Sequence, residues 1–143
     1  MDTYAPHDPL CTQVLLVDDN EPFRRRVGKL IDKLPGFEVL AEVEDGVQAV
    51  RLAHELQPDI VVTDVVMPEL NGIEVTARIK HDSPTVEVIG LSMHGDDGFR
   101  KAMLDAGAMA YLLKDNVLHE LPKVLQSIAA ARAIPGSLDA SNS

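Results

Sequence analysis

Three acids, one hydroxyl and one amine stand at the ends of short apolar runs in this chain. Val14-Leu15-Leu16-Val17 leads to Asp18-Asp19, and Ile60-Val61-Val62-Thr63 leads to Asp64. Val86-Glu87-Val88-Ile89-Gly90-Leu91 leads to Ser92, and Tyr111-Leu112-Leu113 leads to Lys114. Runs so short and so β-branched read as buried parallel strands. In open parallel sheets the functional crevice lies at the carboxyl ends of the strands. Carboxylates that meet there raise one another's pKa, and a hard divalent cation removes that repulsion. Magnesium takes oxygen ligands, commonly one or two carboxylates. Asp19 and Asp64 suit it, with Asp18 as a closer or water-mediated contributor. An ammonium from Lys114 and a hydroxyl from Ser92, both aimed at Asp64, would bind the oxygens of a group attached to that acid. Phosphoryl fits best, with Asp64 as the carboxylate nucleophile of an acyl phosphate. The plainer alternatives are helix-capping acids, a loop serine and a solvated lysine.

The elements that would position these groups follow from periodicity. Asn20 can cap a helix with Pro22 in its first turn, and Phe23, Val27, Leu30, Ile31 and Leu34 share one helical face. Pro35-Gly36 ends that helix, and Phe37 to Val43 is a second strand. Asp45 caps a second helix carrying Val47, Val50 and Ala53, which Pro58 stops. The loop Asp64 to Asn71 precedes a third helix from about Ile73 to Lys80. Gly95 to Ala106 is a weaker fourth helix, with Gly107 as its C′ residue. A fifth strand, Met109 to Leu113, leads to a last helix with Leu118, Leu121, Leu125 and Ile128 in one stripe. Five βα repeats predict an α/β doubly wound sandwich of flavodoxin-like (βα)5 type, a parallel sheet in the order 2-1-3-4-5. The switch point then falls between strands 1 and 3, whose loops carry Asp18-Asp19 and Asp64.

Composition narrows the partners. Thirteen basic against twenty-three acidic residues leave a net charge of −10, which repels nucleic acid phosphates, so no direct nucleic acid binding is expected. No apolar run approaches the roughly 18 residues of a membrane span, and no secretion signal opens the chain. Cys11, the single cysteine, excludes an internal disulfide and a thiolate cluster, and a cytoplasmic setting is expected. The acidic turn Asp18-Asp19-Asn20-Glu21 and the lack of any Gly-rich phosphate loop argue against a nucleotide or flavin. Residues 1–12 read as a flexible leader, 13–132 as one domain, and 133–143 as a linker or tail.

VLLVDDN (14–20), DIVVTDVVMPELNG (59–72), VIGLSMH (88–94) and DAGAMAYLLKD (105–115) together resemble a bacterial response regulator receiver domain, over nearly all of 13–132. The resemblance implies that Asp64 accepts phosphoryl from a phosphohistidine on a partner sensor histidine kinase. It further implies that Asp19, Asp64 and the Val66 backbone carbonyl hold Mg2+ (Mn2+ able to substitute), with Asp18 assisting. Ser92 would be the switch hydroxyl and Lys114 the phosphoryl-binding ammonium. Tyr111 would be an aromatic that swings inward as Ser92 moves, its alternative being a half-buried strand tyrosine. Val66 and His94 would line the route of attacking water, although His94 reads equally as an exposed loop residue. Where the family often has Lys-Pro, this chain has Lys114-Asp115, which together with AGAMAYLLKD is most similar to receivers of LuxR-type regulators. Pro122 predicts a late or irregular start to the last helix.

On these grounds the expected function is a switch whose own aspartate is the substrate, gaining and losing phosphoryl, and not an enzyme acting on other molecules. It would control transcription through a DNA-binding domain absent from this chain, or act alone by protein contact. Readout or homodimerisation would use the face of the fourth helix, fifth strand and fifth helix, or that of the first and fifth helices. The rival is an aspartyl-nucleophile phosphatase of the haloacid dehalogenase type, which needs a second acid at position 66, where this chain has valine. A receiver that has lost phosphorylation and serves only for docking is the remaining alternative.

Overall fold

The computed structural model describes residues 11–93 and 97–133. His94, nearly all of the expected leader and all of the expected tail except Ala133, which closes the last helix, lie outside these residues. Thr12, the leader's last residue, instead opens the first strand. Five parallel strands, β1 (Thr12–Val17), β2 (Phe37–Val43), β3 (Ile60–Asp64), β4 (Glu87–Ser92) and β5 (Ala110–Leu113), lie in the order β2-β1-β3-β4-β5. The helices are α1 (Glu21–Asp32), α2 (Gly46–Leu56), α3 (Gly72–Asp82), α4 (Asp97–Asp105) and α5 (Val117–Ala133). The doubly wound order read from the sequence is the order found.

Alternation along each strand sends apolar side chains to both faces, which is why the runs read as continuous. Val14, Leu16, Ile60, Val62, Ile89, Leu91 and Leu112 pack toward α1 and α5. Leu15, Val17, Val61 and Val88 pack toward α2 and α3. Val65, Met103, Ala108 and Tyr111 form a third cluster beneath α4. Asn20 caps α1 by accepting from the Phe23 N–H at 3.0 Å, and Asp45 caps α2 by accepting from Gln48 N–H at 2.8 Å. Each satisfies a backbone donor that the helix itself leaves open. At the end of α2, Gln57 takes a left-handed conformation (φ 49°), and its side-chain amide donates to the His54 carbonyl at 3.0 Å.

Two expectations are corrected, and a third in part. Val47 is exposed, and Ala49 with Ala53 forms the buried face of α2. On α5 the buried stripe is Val117, Leu121, Leu125 and Ile128, while Leu118 is 56% exposed. The spacing i, i+4, i+8, i+11 fits one helical face once Val117 is taken as its first member. The last helix starts irregularly, as expected, but it does not start late. A 3-10 turn at Lys114–Asn116 precedes it, and α5 then runs through Pro122. The N–H that proline lacks would have paired with the Leu118 carbonyl. Leu118 is on the exposed side, where solvent can take that carbonyl, while Leu121 and Leu125, both fully buried, hold the turn in place.

The corrected stripe makes a direct prediction. Leu121→Ala should lower the unfolding free energy by about 2–5 kcal/mol, and Leu118→Ala by less than about 0.5 kcal/mol, as read from urea denaturation of each variant. Equal losses would return Leu118 to the core.

Candidate functional site at the carboxyl edge of the sheet

Strand register brings the polar residues into one row. Val17 pairs with Thr63, so Asp18 and Asp64 leave adjacent strands at the same level. Asp64 pairs with Leu91 on β4, with Ser92 one step beyond, and Ser92 pairs with Leu113, with Lys114 one step beyond. Asp18, Asp64 and Ser92 are all buried, and Asp19 is exposed at the rim. The carboxylates of Asp18, Asp19 and Asp64 offer oxygens within 4.8 Å of one another.

Lys114 reaches into this acidic group. Its Nζ lies 2.8 Å from Asp18 Oδ2 and 3.5 Å from Asp64 Oδ2, with the lysine side chain only 8% exposed. The contact with Asp18 Oδ2 is ionic without hydrogen-bond geometry, which leaves that buried oxygen without a hydrogen-bond donor. Asp18 Oδ1, by contrast, accepts from the Asn20 backbone N–H at 2.8 Å. A buried carboxylate oxygen with an open lone pair, set among two further carboxylates, suits a hard cation. The donor set therefore fits magnesium.

Burial pushes the Asp64 carboxyl up from 3.8 to about 6, and the neighbouring Asp18 charge adds to that rise. The Lys114 ammonium and the Val66 backbone N–H, 3.4 Å from Asp64 Oδ1, pull the other way, and Asp19 adds a smaller upward push. Repulsion from neighbouring acids thus contributes to the rise at Asp64, and desolvation is the larger cause. Added charge of opposite sign would relieve it.

The loop after β3 is fixed by backbone contacts. Gly72 N–H donates to the Val65 carbonyl at 2.8 Å, and Val65 N–H to the Leu91 carbonyl at 2.9 Å. A side chain at Gly72 would run into the Asp64 carbonyl oxygen and the Val65 backbone. Asn71 caps α3 by accepting from Glu74 N–H at 3.0 Å, a role the sequence reading did not assign. Val66, in this loop, is 50% exposed, and position 66 carries no acid. Tyr111 is buried at 8% exposure among Val65, Met103 and Ala108, further in than a half-buried strand tyrosine.

Two residues at this edge carry no signal in the sequence beyond a helical face. Phe23 places its ring 4.4 Å from Lys114 Nζ. Arg24 donates to the Asp18 backbone carbonyl at 2.7 Å and pairs with Glu42 on β2 at 3.1 Å, fixing the turn that presents Asp18. Beside the site, a groove of about 300 Å³ opens between α1 and the start of α5, lined by Phe23, Arg26, Met93, Lys114 and Leu118.

Comparison with known proteins agrees with this geometry. The family model described as the response regulator receiver domain matches residues 14–126. The transcriptional regulatory protein DegU of Brevibacillus brevis is 36% identical over 85% of this chain and 51% of its own length. LiaR of Bacillus subtilis, also a transcriptional regulatory protein, is 36% identical over 86% of this chain and 57% of its own. The chain thus spans about half the length of these relatives. Among solved structures, a LuxR-family two-component response regulator from Aurantimonas superposes with a TM-score of 0.80 at 33% identity, covering 90% of this chain and 94% of that one. The receiver domain of a NarL-type regulator from Mycobacterium tuberculosis gives 0.79 at 28% identity, covering 84% and 97%.

Two predictions follow from the electrostatics and the close approach. A carboxyl whose folded pKa lies above its unfolded value favours folding while protonated, and that contribution is lost as pH rises through the folded value. In chelator, Asp64→Asn should therefore be more stable than wild type at about pH 8, with the gap closing toward about pH 4. Urea midpoints across that range measure it, and parallel curves would contradict it. Gly72→Ala should cost about 1–3 kcal/mol through backbone displacement, measured in the same assay.

Proposed function

The chain belongs to the response regulator receiver family, and we propose that it is a phosphoryl-accepting switch in which Asp64 takes phosphoryl from a phosphohistidine on a sensor histidine kinase. The observation that carries this reading is the buried Asp64 carboxylate flanked by Lys114 at 3.5 Å and by two further acids within 4.8 Å. An Asp64 oxygen attacks phosphorus as the phosphorus–nitrogen bond of the donor breaks, leaving imidazole on the kinase and an acyl phosphate here. Lys114 neutralises charge on the phosphoryl oxygens, for which it must shift its closer pairing from Asp18 toward the incoming group. Ser92, in the same row, supplies a hydroxyl to a further phosphoryl oxygen. Asp19, Asp64 and the Val66 carbonyl would hold Mg2+, with Asp18 assisting, and Mn2+ could take the same oxygen donors. When bound, the cation supplies positive charge against the acids and the phosphoryl group. The groove beside Lys114 gives a donor protein room to bring its imidazole to the edge.

The switch reading rests on α4 and Tyr111. Met103 is the one fully buried side chain among those described on α4, so the helix is held to the sheet by little apolar contact and suits an element that shifts. Tyr111 is buried beside Met103 and Val65, where a shift of α4 would change its surroundings. Phosphorylation would favour the state in which Ser92 and Tyr111 are both drawn in. The output is transcription, through a DNA-binding domain beyond the residues of this chain, in keeping with the two transcriptional regulatory proteins it resembles. The protein's own aspartate is its substrate, and the setting is the cytoplasm. The exposed valine at position 66 leaves the phosphatase alternative without its general acid.

With acetyl phosphate and magnesium, the wild type should gain one phosphoryl group by intact-mass measurement. Asp64→Asn should gain none, and Asp19→Asn should need far more magnesium to reach the same extent. Uptake of phosphoryl by Asp64→Asn at the wild-type level would remove Asp64 from the mechanism.

A further inference from the structure

Phe23 is drawn into the site by contacts that form a closed circuit around Lys114. Asp18 Oδ1 accepts from the Asn20 N–H at 2.8 Å, and Asn20 Oδ1 accepts from the Phe23 N–H at 3.0 Å. The Phe23 ring then sits 4.4 Å from Lys114 Nζ, and Lys114 Nζ returns to Asp18 Oδ2 at 2.8 Å. The first turn of α1 thus fixes both the acid that holds the lysine and the aromatic face beneath it.

We infer that Phe23 is a positioning residue for Lys114, a neutral face that keeps the ammonium at the Asp64 edge while its pairing with Asp18 is given up. The inference rests on the phosphoryl-accepting reading of Asp64. Its physical basis is competition. Asp18 Oδ2 is both the lysine's closest anionic partner and the oxygen without a hydrogen-bond donor, so a cation drawn to these acids weakens the lysine's main contact. A desolvated ammonium then needs another source of negative potential. An aromatic face provides one through its quadrupole, without net charge and without competing for the cation. A carboxylate at that position would compete with the phosphoryl group for the lysine. An aliphatic side chain of the same size would leave the ammonium to swing into the adjoining groove, which Phe23 and Lys114 both line.

The test separates this role from simple packing. Beryllofluoride, a phosphoryl analogue, is titrated calorimetrically into the full chain in saturating magnesium, and magnesium alone is titrated separately. Phe23→Leu and Phe23→Met should raise the half-saturating beryllofluoride concentration by about threefold to thirtyfold and weaken the binding of magnesium alone by a smaller factor. Phe23→Tyr, which keeps the ring face, should bind as the wild type does. Wild-type affinity in Phe23→Met, a Phe23→Tyr variant as weak as Phe23→Leu, or an equal loss of magnesium affinity would each overturn the role assigned to the ring. A wild type that binds no beryllofluoride would instead fell the phosphoryl-accepting reading, and this inference with it.

Discussion

One ammonium shared between two buried carboxylates is the constraint on which this edge depends. Lys114 lies closer to Asp18 than to Asp64, at 2.8 against 3.5 Å, and that asymmetry sets the resting chemistry. Asp18 has a cation at contact distance, while Asp64 is left under-compensated by burial and by its acidic neighbours, which is why its carboxyl is pushed up to about 6. Removing Lys114 would leave two buried carboxylates without their shared cation, so this edge depends on the lysine more than on any one acid. A site with three carboxylates and one ammonium is short of positive charge, a deficit that a divalent cation would fill.

The fold supplies this arrangement from simple rules. Parallel strands buried on both faces all end at one edge, and register then decides which residues meet. The pairing of Val17 with Thr63 and of Asp64 with Leu91 aligns acids that lie 46 residues apart in the chain. The loop after β3 can return to start α3 close to Asp64 because Gly72 has no side chain to meet the strand's own backbone. Arg24 ties the turn after β1 to Glu42 on the outer strand, so the Asp18 side of the site is braced by an element that contributes no group to it.

Much of this was legible in the sequence because central parallel strands carry an unbroken apolar signal. The ends of β1, β3 and β4 follow from where that signal stops, and Asp18, Asp64 and Ser92 follow from those ends. The phase of α5 was less legible. Val117 and Leu118 are both apolar, and periodicity alone cannot choose between neighbours when the helix start is unknown. Pro122 pointed to a late start because propensity ignores the buried leucines that hold the turn around it. Arg24 and Glu42 meet only through tertiary structure. The ring of Phe23 fell on the expected core face, yet its position over Lys114 depends on the 3-10 turn after β5. The depth of Tyr111 depends likewise on Met103, which comes from a separate helix.

All of this converges on a single atom group, the Asp64 carboxylate. Borohydride reduces an acyl phosphate and converts the modified aspartate to homoserine. Peptide mapping of the phosphorylated, reduced protein should find homoserine at position 64 and unmodified aspartate at positions 18 and 19. Homoserine at position 18 or 19, phosphate retained on Ser92, or no homoserine at all would contradict the account.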